Sequence, residues 1–206
     1  MKRNAKGLAI KQQRGQRTYD ALVEAGFKLM EKYELDNISV HDLAREAGYS
    51  TGAFYGRFTS KEQFFEVMVS HHLEKRSTAL DPLFERLPMH KLVPELINNI
   101  IDYYWQHRRF WRAVQIQNIR NMNFARRFRD NFNYRAQTFI DYTESQVGRR
   151  LTAKEKENIS FAFQLLLGTV NNATFNESGT VLLGQKKFKQ LMLRAFLEVS
   201  GIKDLK

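Results

Sequence analysis

The sequence predicts an all-α protein, on three observations. Apolar residues recur with a helical period over most of the chain. Side chains suited to helix capping stand just ahead of several of those runs, and no segment alternates as a half-buried strand would. The 206 residues include only three prolines and no cysteine, so few helices are interrupted, and disulfides, zinc thiolates and a cysteine nucleophile are excluded.

A first helix opens at Thr18, with Ala21, Leu22, Ala25, Leu29 and Met30 on one stripe and Phe27 beside it, and fades over residues 33–37. Ser39 announces a second. Its hydroxyl can accept from a first-turn amide while Asp42, three residues on, answers it, and Ile38 and Leu43 stand where a hydrophobic staple needs them. This helix carries Leu43, Ala44 and Ala47 inward and stops at Gly48, whose tolerance of positive φ suits a helix-ending turn. Ser50 caps a third helix with Ala53, Phe54 and Phe58 on its apolar stripe. Ser60 caps a fourth that starts at Lys61, with Gln63 at the reciprocal position. Two short helices meeting across Gly48 and Tyr49 form a helix-turn-helix layout, whose second helix lies in the major groove of double-stranded DNA.

Helix geometry selects the reading residues. Phe54 and Phe58, four apart, face the core, leaving Thr51, Gly52, Ala53 and Tyr55 toward the groove. Thr51 can offer a hydroxyl or a methyl to a base edge, and Tyr55 can reach phosphate or base. Ser50 begins that surface, and His41, in the first turn of the second helix, is placed for phosphate or water. Gly52 and Gly56 each weaken a helix by roughly 1 kcal/mol relative to alanine. Their use would be close approach of backbone to DNA. The alternative reading makes Tyr55 a packing residue and Lys61 a solvated lysine.

The run from Ser39 to Glu62 resembles the signature of the tetracycline-repressor (TetR/AcrR) family of bacterial transcription regulators. The capped second helix, the Ala47-Gly48 turn, the Phe54-Tyr55 pair, Phe58 and the Ser60-Lys61-Glu62 start of the fourth helix all fall at that family's spacing. The resemblance implies base or phosphate contacts at Thr51, Gly52, Ala53 and Tyr55, phosphate contacts at Ser39 and Lys61, and backbone contact at Arg57. Gly56 departs from the bulkier residue of the family, which leaves part of the readout to DNA shape. It further implies a homodimeric regulator, a repressor released by a small-molecule effector. A transcriptional activator, or a ligand-independent architectural nucleic-acid binder, is the other reading. The expected division is a basic arm (1–15), a helix-turn-helix domain (16–62) and a helical effector and dimerisation domain (63–206), about nine helices in all.

The formal net charge is +11, yet residues 1–70 hold 11 basic and 9 acidic side chains, so charge alone does not locate a DNA site. The first nineteen residues carry six positive charges and no negative one, as would a flexible arm that follows phosphates or enters a minor groove; a solvating tail is the alternative. No apolar stretch follows those charges as in a secretory signal. The longest apolar run, residues 161–170, is interrupted by Gln164 and falls short of the roughly 17 to 25 residues a membrane span needs. A cytoplasmic protein without a membrane partner is expected.

Beyond the head, apolar periodicity runs from Phe64 to about Leu83, resumes over residues 92–104, continues briefly through Phe110, Trp111 and Val114, and then extends over residues 124–147, with Pro82, Pro88 and Pro94 punctuating the first connections. Thr152 and Glu155 form a capping box for a helix reaching about Phe175, and a last helix covers roughly residues 186–199. The former collects Phe161, Leu165, Gly168 and Phe175 on one side and Ile159, Phe163, Leu166, Val170 and Ala173 nearly opposite. A helix apolar on both sides must be buried on both. The last helix adds Phe188, Leu191, Met192, Ala195, Phe196 and Val199. Two such helices from each of two chains would make a four-helix dimer interface, as the resemblance also implies; the alternative buries both inside one chain. A two-fold dimer would place its heads on half-sites about 34 to 36 Å apart, in a near-palindrome.

Phe128, Phe132, Arg135, Phe139 and Tyr142 follow helical steps that put Arg135 in the middle of an aromatic stripe. Its partner could be an anionic group on an aromatic-pocket effector, with Tyr103, Trp105 or Trp111 nearby. It could equally be an acid such as Asp102 or Glu144, or the stem could pack while the head stays in water. Enzyme chemistry finds little footing. His71 and His72 point about 100 degrees apart on a helix, unlike a metal-binding i, i+4 pair, and neither a Gly-rich phosphate loop nor a nucleophile elbow occurs. No catalytic residue, cofactor or metal is expected.

Overall fold

The computed structural model describes residues 2–120, 122–176 and 179–202, with the side chains of 2–12, 76–77, 120, 122–128 and 131 left aside. Ten α-helices are present among them, one more than the sequence suggests, in two compact units, Met1–His71 and His72–Lys206.

The first unit holds α1 (Lys2–Met30), a 3-10 turn (Leu35–Asn37), α2 (Val40–Glu46), α3 (Thr51–Tyr55) and the start of α4 (Lys61–Ser77). Two boundaries differ from expectation. α1 begins at Lys2 rather than Thr18, so the expected flexible arm is helical; lysine, arginine, glutamine and alanine are good helix formers even without an apolar stripe. At the start of α4, the Gln63 amide donates to Ser60 Oγ at 3.1 Å as expected. Gln63 Oε1, however, accepts from the Thr59 amide at 2.6 Å, one residue earlier than a capping box places it.

Phe54, Phe58 and Phe64 pack with centroids 5.0 to 5.4 Å apart, and Leu22, Ile38, Leu43, Phe65 and Met68 close the core around them. Gly26 is what lets α1 and α4 approach. A Cβ there would lie 2.6 Å from Met68 Sδ and 2.9 Å from Phe64 Cζ.

The second unit contains α5 (Asp81–Arg86), α6 (Met89–Gln106), α7 (Arg108–Arg120), α8 (Met122–Val147), α9 (Ala153–Asn176) and α10 (Lys186–Ser200). The run expected to reach Leu83 breaks after Ser77. Pro94 lies inside α6 rather than before it. Phe139, Phe163 and Phe196 form a second aromatic trio, 5.1 to 5.9 Å between centroids, that ties α8, α9 and α10 together. The Thr152 and Glu155 capping box forms, with bonds of 3.3 and 2.6 Å. Beside it buried Glu144 accepts from the Leu151 amide (2.9 Å), Arg150 (2.5 Å) and Lys156 (2.8 Å).

Candidate nucleic-acid interface and ligand cavity

The head is built around its caps. Ser39 Oγ accepts from the Asp42 amide and the Asp42 carboxylate accepts from the Ser39 amide, both at 3.1 Å, which fixes the start of α2. The hydrogen bonds to Ser39 hold the Asp42 carboxyl below its ordinary range. Gly48, at φ 75°, ends α2, and the Tyr49 amide donates back to the Ala44 carbonyl at 2.8 Å. Ser50 Oγ then accepts from the Ala53 amide at 3.2 Å and starts α3 after a two-residue turn.

α3 buries Phe54 and turns Thr51, Gly52 and Tyr55 outward, with Ala53 half-buried. Tyr55 is 59% exposed, its ring edge-on to Phe54, so it is not the packing residue of the alternative reading. Ser39, His41 and Ser50 are also exposed, although the Ser39 and Ser50 oxygens serve as caps.

Arg57 and Lys61, expected to contact the DNA backbone and phosphates, both make hydrogen bonds within the head. Arg57 donates to the Ala53 carbonyl (3.1 Å) and the Gly15 carbonyl (3.3 Å), while Lys61 Nζ donates to the carbonyls of Leu35 (3.0 Å) and Ile38 (3.1 Å). Both cations bind the head's own backbone. Tyr49, exposed at the turn, is a candidate the sequence reading passed over; its only signal was an aromatic following a helix-ending glycine.

The second unit contains a cavity of about 240 Å³. Of the expected effector residues, Tyr103, Trp111, Phe132 and Arg135 line it. Three do not. Trp105 packs where a Cβ on Gly184 would lie 2.9 Å from its ring, with Arg108 over it at 4.7 Å. Phe139 is fully buried in the aromatic trio, and the Tyr142 hydroxyl donates to the Leu87 carbonyl at 2.8 Å. The Phe128 side chain lies outside the described residues. The remaining lining includes Arg129, three residues before Phe132 on α8, and His72, Tyr104 and Asn171, which come from other helices and which periodicity along α8 could not gather.

Tyr104 and Arg135 are walled in by protein while keeping surface on the cavity. Burial pushes the Tyr104 phenol up to about 12, and the same desolvation presses the Arg135 guanidinium below its ordinary value against the pull of Tyr104 and Asp81. Neither acid suggested for Arg135 is its partner here: Glu144 is held by Arg150 and Lys156, and Asp102 pairs with Lys189 at 2.5 Å. Tyr103 shares a hydrogen bond with the His72 ring, and Tyr104 stacks on Trp111 with centroids 4.3 Å apart.

On α9, Phe161 (53%) and Phe175 (43%) are exposed along with Gly168, and Leu165 is half-buried on the same face, while Ile159, Phe163, Leu166 and Val170 are buried. On α10, Leu191 and Ala195 keep surface, but Phe188, Met192 and Phe196 are buried in the chain's own core. Those three expected interface residues are therefore core residues, because α10 turns its most apolar side toward α6 and α9.

These features define a helix-turn-helix protein with a helical, cavity-bearing second unit. The model of the family described as "Bacterial regulatory proteins, tetR family" matches residues 22–68, so the head is that of the tetR family. An uncharacterized HTH-type transcriptional regulator of Bacillus subtilis, YwcC, is 42% identical over 59 residues, 29% of this chain and 25% of that protein. The chain thus spans about a quarter of the length of that relative. Two solved structures carry the likeness across the fold. A protein of Mesorhizobium loti assigned to the tetR family of transcriptional regulators has TM-score 0.67 at 20% identity, with 90% of this chain and 98% of that one covered. The regulator FadR of Bacillus subtilis, solved with stearoyl-CoA, has TM-score 0.62 at 14% identity, with 89% and 98% covered. Among the described residues no helix is long and apolar enough to cross a membrane.

Proposed function

We propose that the chain is a homodimeric, cytoplasmic, sequence-specific DNA-binding transcription regulator, a repressor that leaves its operator when a small molecule fills the cavity. The observation that carries the reading is the outward face of α3, Thr51, Gly52 and Tyr55, presented by the Ser50 cap and anchored by Phe54 in a tetR-type head. Thr51 and Tyr55 read DNA, with Ser39, His41, Gly52 and Ala53 against the backbone. Arg57, bonded to the Ala53 carbonyl, steadies the reading helix, and Lys61 steadies the turn that leads into α2. The apolar face of α9, joined by Leu191 and Ala195, meets its copy in a second chain, and the two heads take the halves of a near-palindrome.

The effector acts by population shift: a molecule that binds better when the heads are misplaced lowers operator affinity by that difference. α4 reaches from the head into the second unit, where His72 and Leu73 line the cavity, and so is the lever of this reading. The like-folded FadR, solved with stearoyl-CoA, lends support to a small-molecule effector. Enzymatic turnover has no part in it.

The test is binding to DNA from upstream of the chain's own coding region against scrambled DNA at near-physiological salt. Specific regulators prefer their site by about a thousandfold or more. Tyr55→Ala should abolish that preference with the helical spectrum unchanged. Equal, salt-sensitive binding to both DNAs and to any region tried would instead favour an architectural binder.

A further inference from the structure

We infer that the cavity takes a hydroxylated aryl carboxylate, an inference that rests on the effector reading above and names its ligand class. Charge comes first. Arg129 and Arg135 line the cavity, and no Asp or Glu does so among the described residues. Asp81, whose charge reaches Arg135, shares a neighbouring cleft with it, where Asp81 Oδ2 accepts from Tyr134 at 3.0 Å. A guanidinium held in a desolvated wall favours a planar anion that can accept two parallel hydrogen bonds, which is the geometry of a carboxylate.

The second polar demand lies at Asn171. Its Oδ1 is buried and has no hydrogen-bond partner among the described residues. Because Asn171 lines the cavity, a rotation of its amide would bring this unpaired acceptor to the ligand, and a phenolic hydroxyl is a donor that would satisfy it.

The body of the ligand follows from the walls. The stacked Tyr104 and Trp111 pair and Phe132 provide aromatic surface, and Ile100 and Leu167 provide aliphatic surface. A volume of about 240 Å³ suits one or two fused rings. Ring faces and edges fill such a wall without the ordering cost of a flexible chain.

Calorimetric titration of the full chain with hydroxynaphthoate, its neutral analogue hydroxynaphthamide, and naphthoate tests this. The acid should bind at least about tenfold more tightly than the amide, the scale of one charge-assisted hydrogen bond. Arg135→Gln should erase that preference while still binding the amide, which reports an intact cavity. Arg129→Gln, at an exposed side chain, should reduce the preference severalfold. Asn171→Leu should bring hydroxynaphthoate down to naphthoate. Amide binding as tight as the acid, a preference that survives both arginine variants, or binding of none of the three would overturn the proposal. The effector reading is judged separately. An organic extract of the source cells that releases operator from the wild type and not from the cavity-filling Leu167→Trp upholds it whatever the naphthoates do, and an extract that never releases operator sinks it.

Discussion

Lys61 Nζ lies 3.0 Å from the Leu35 carbonyl and 3.1 Å from the Ile38 carbonyl, so the first residue of α4 ties down the turn that leads into α2. One ammonium thereby satisfies two carbonyls just ahead of the Ser39 cap, and the orientation of α2 depends on a residue more than twenty positions downstream.

Lys61→Met should therefore act first on the head itself. Losing two charge-assisted bonds from a partly buried amine costs about 1 to 3 kcal/mol in urea unfolding. Operator affinity should fall with it, while the slope of log affinity against log salt stays unchanged. A fall of about one unit in that slope would show that the amine contacts a phosphate instead.

Gly26→Ala probes the close approach of α1 to α4. The new methyl would meet Met68 and Phe64 at under 3 Å. Overpacking of this kind costs about 1 to 3 kcal/mol and outweighs the roughly 1 kcal/mol gained in helix propensity. A lowered unfolding midpoint is expected, and an unchanged or raised one would show that the α1 and α4 side chains yield freely.

The exposed face of α9 is testable through Leu165→Glu. Sedimentation should show a dimer for the wild type and a monomer for the variant, with equal helical circular dichroism and at least about a hundredfold weaker operator binding once the two heads are unlinked. Phe163→Ala, on the buried side of the same helix, should instead destabilise the fold by about 3 to 5 kcal/mol. A Leu165→Glu dimer would place the interface elsewhere.

Acid should weaken the α8–α9 corner. Hydrogen bonds from Lys156, the Leu151 amide and Arg150 hold the Glu144 carboxyl down at about 2, and Arg149 with the Thr152 amide does the same for Glu155. A carboxyl depressed in the folded state stabilises fully above its unfolded value near 4.5, and that contribution is lost as pH falls toward about 2. Unfolding midpoints measured across that window should drop, and Glu144→Gln should flatten the drop. An equal slope in the variant would move the acid sensitivity to other carboxyls.

The parts of this fold that are local in sequence were legible from it. Ser39 with Asp42, Ser50 with Ala53, Thr152 with Glu155 and the positive φ at Gly48 each involve residues within one helical turn, so spacing alone identifies them. What escaped depends on distant partners. The burial of the Lys61 amine requires the Leu35 and Ile38 carbonyls, and the inward set of Phe188, Met192 and Phe196 requires the faces of α6 and α9. Gly26 carries no sequence signal, because its reason lies on α4. The cavity was half visible: one helix supplied Phe132 and Arg135, but Asn171 and Tyr104 reach it from α9 and α6.

Each unit closes its own aromatic cluster, Phe54 with Phe58 and Phe64 in one, Phe139 with Phe163 and Phe196 in the other. In the dimer proposed above, this separation has a genetic consequence. A lesion confined to the head would leave a body still able to pair with a healthy subunit and disable it, so such alleles should be dominant. Lesions that dissolve the second cluster would remove the subunit altogether and behave as recessive.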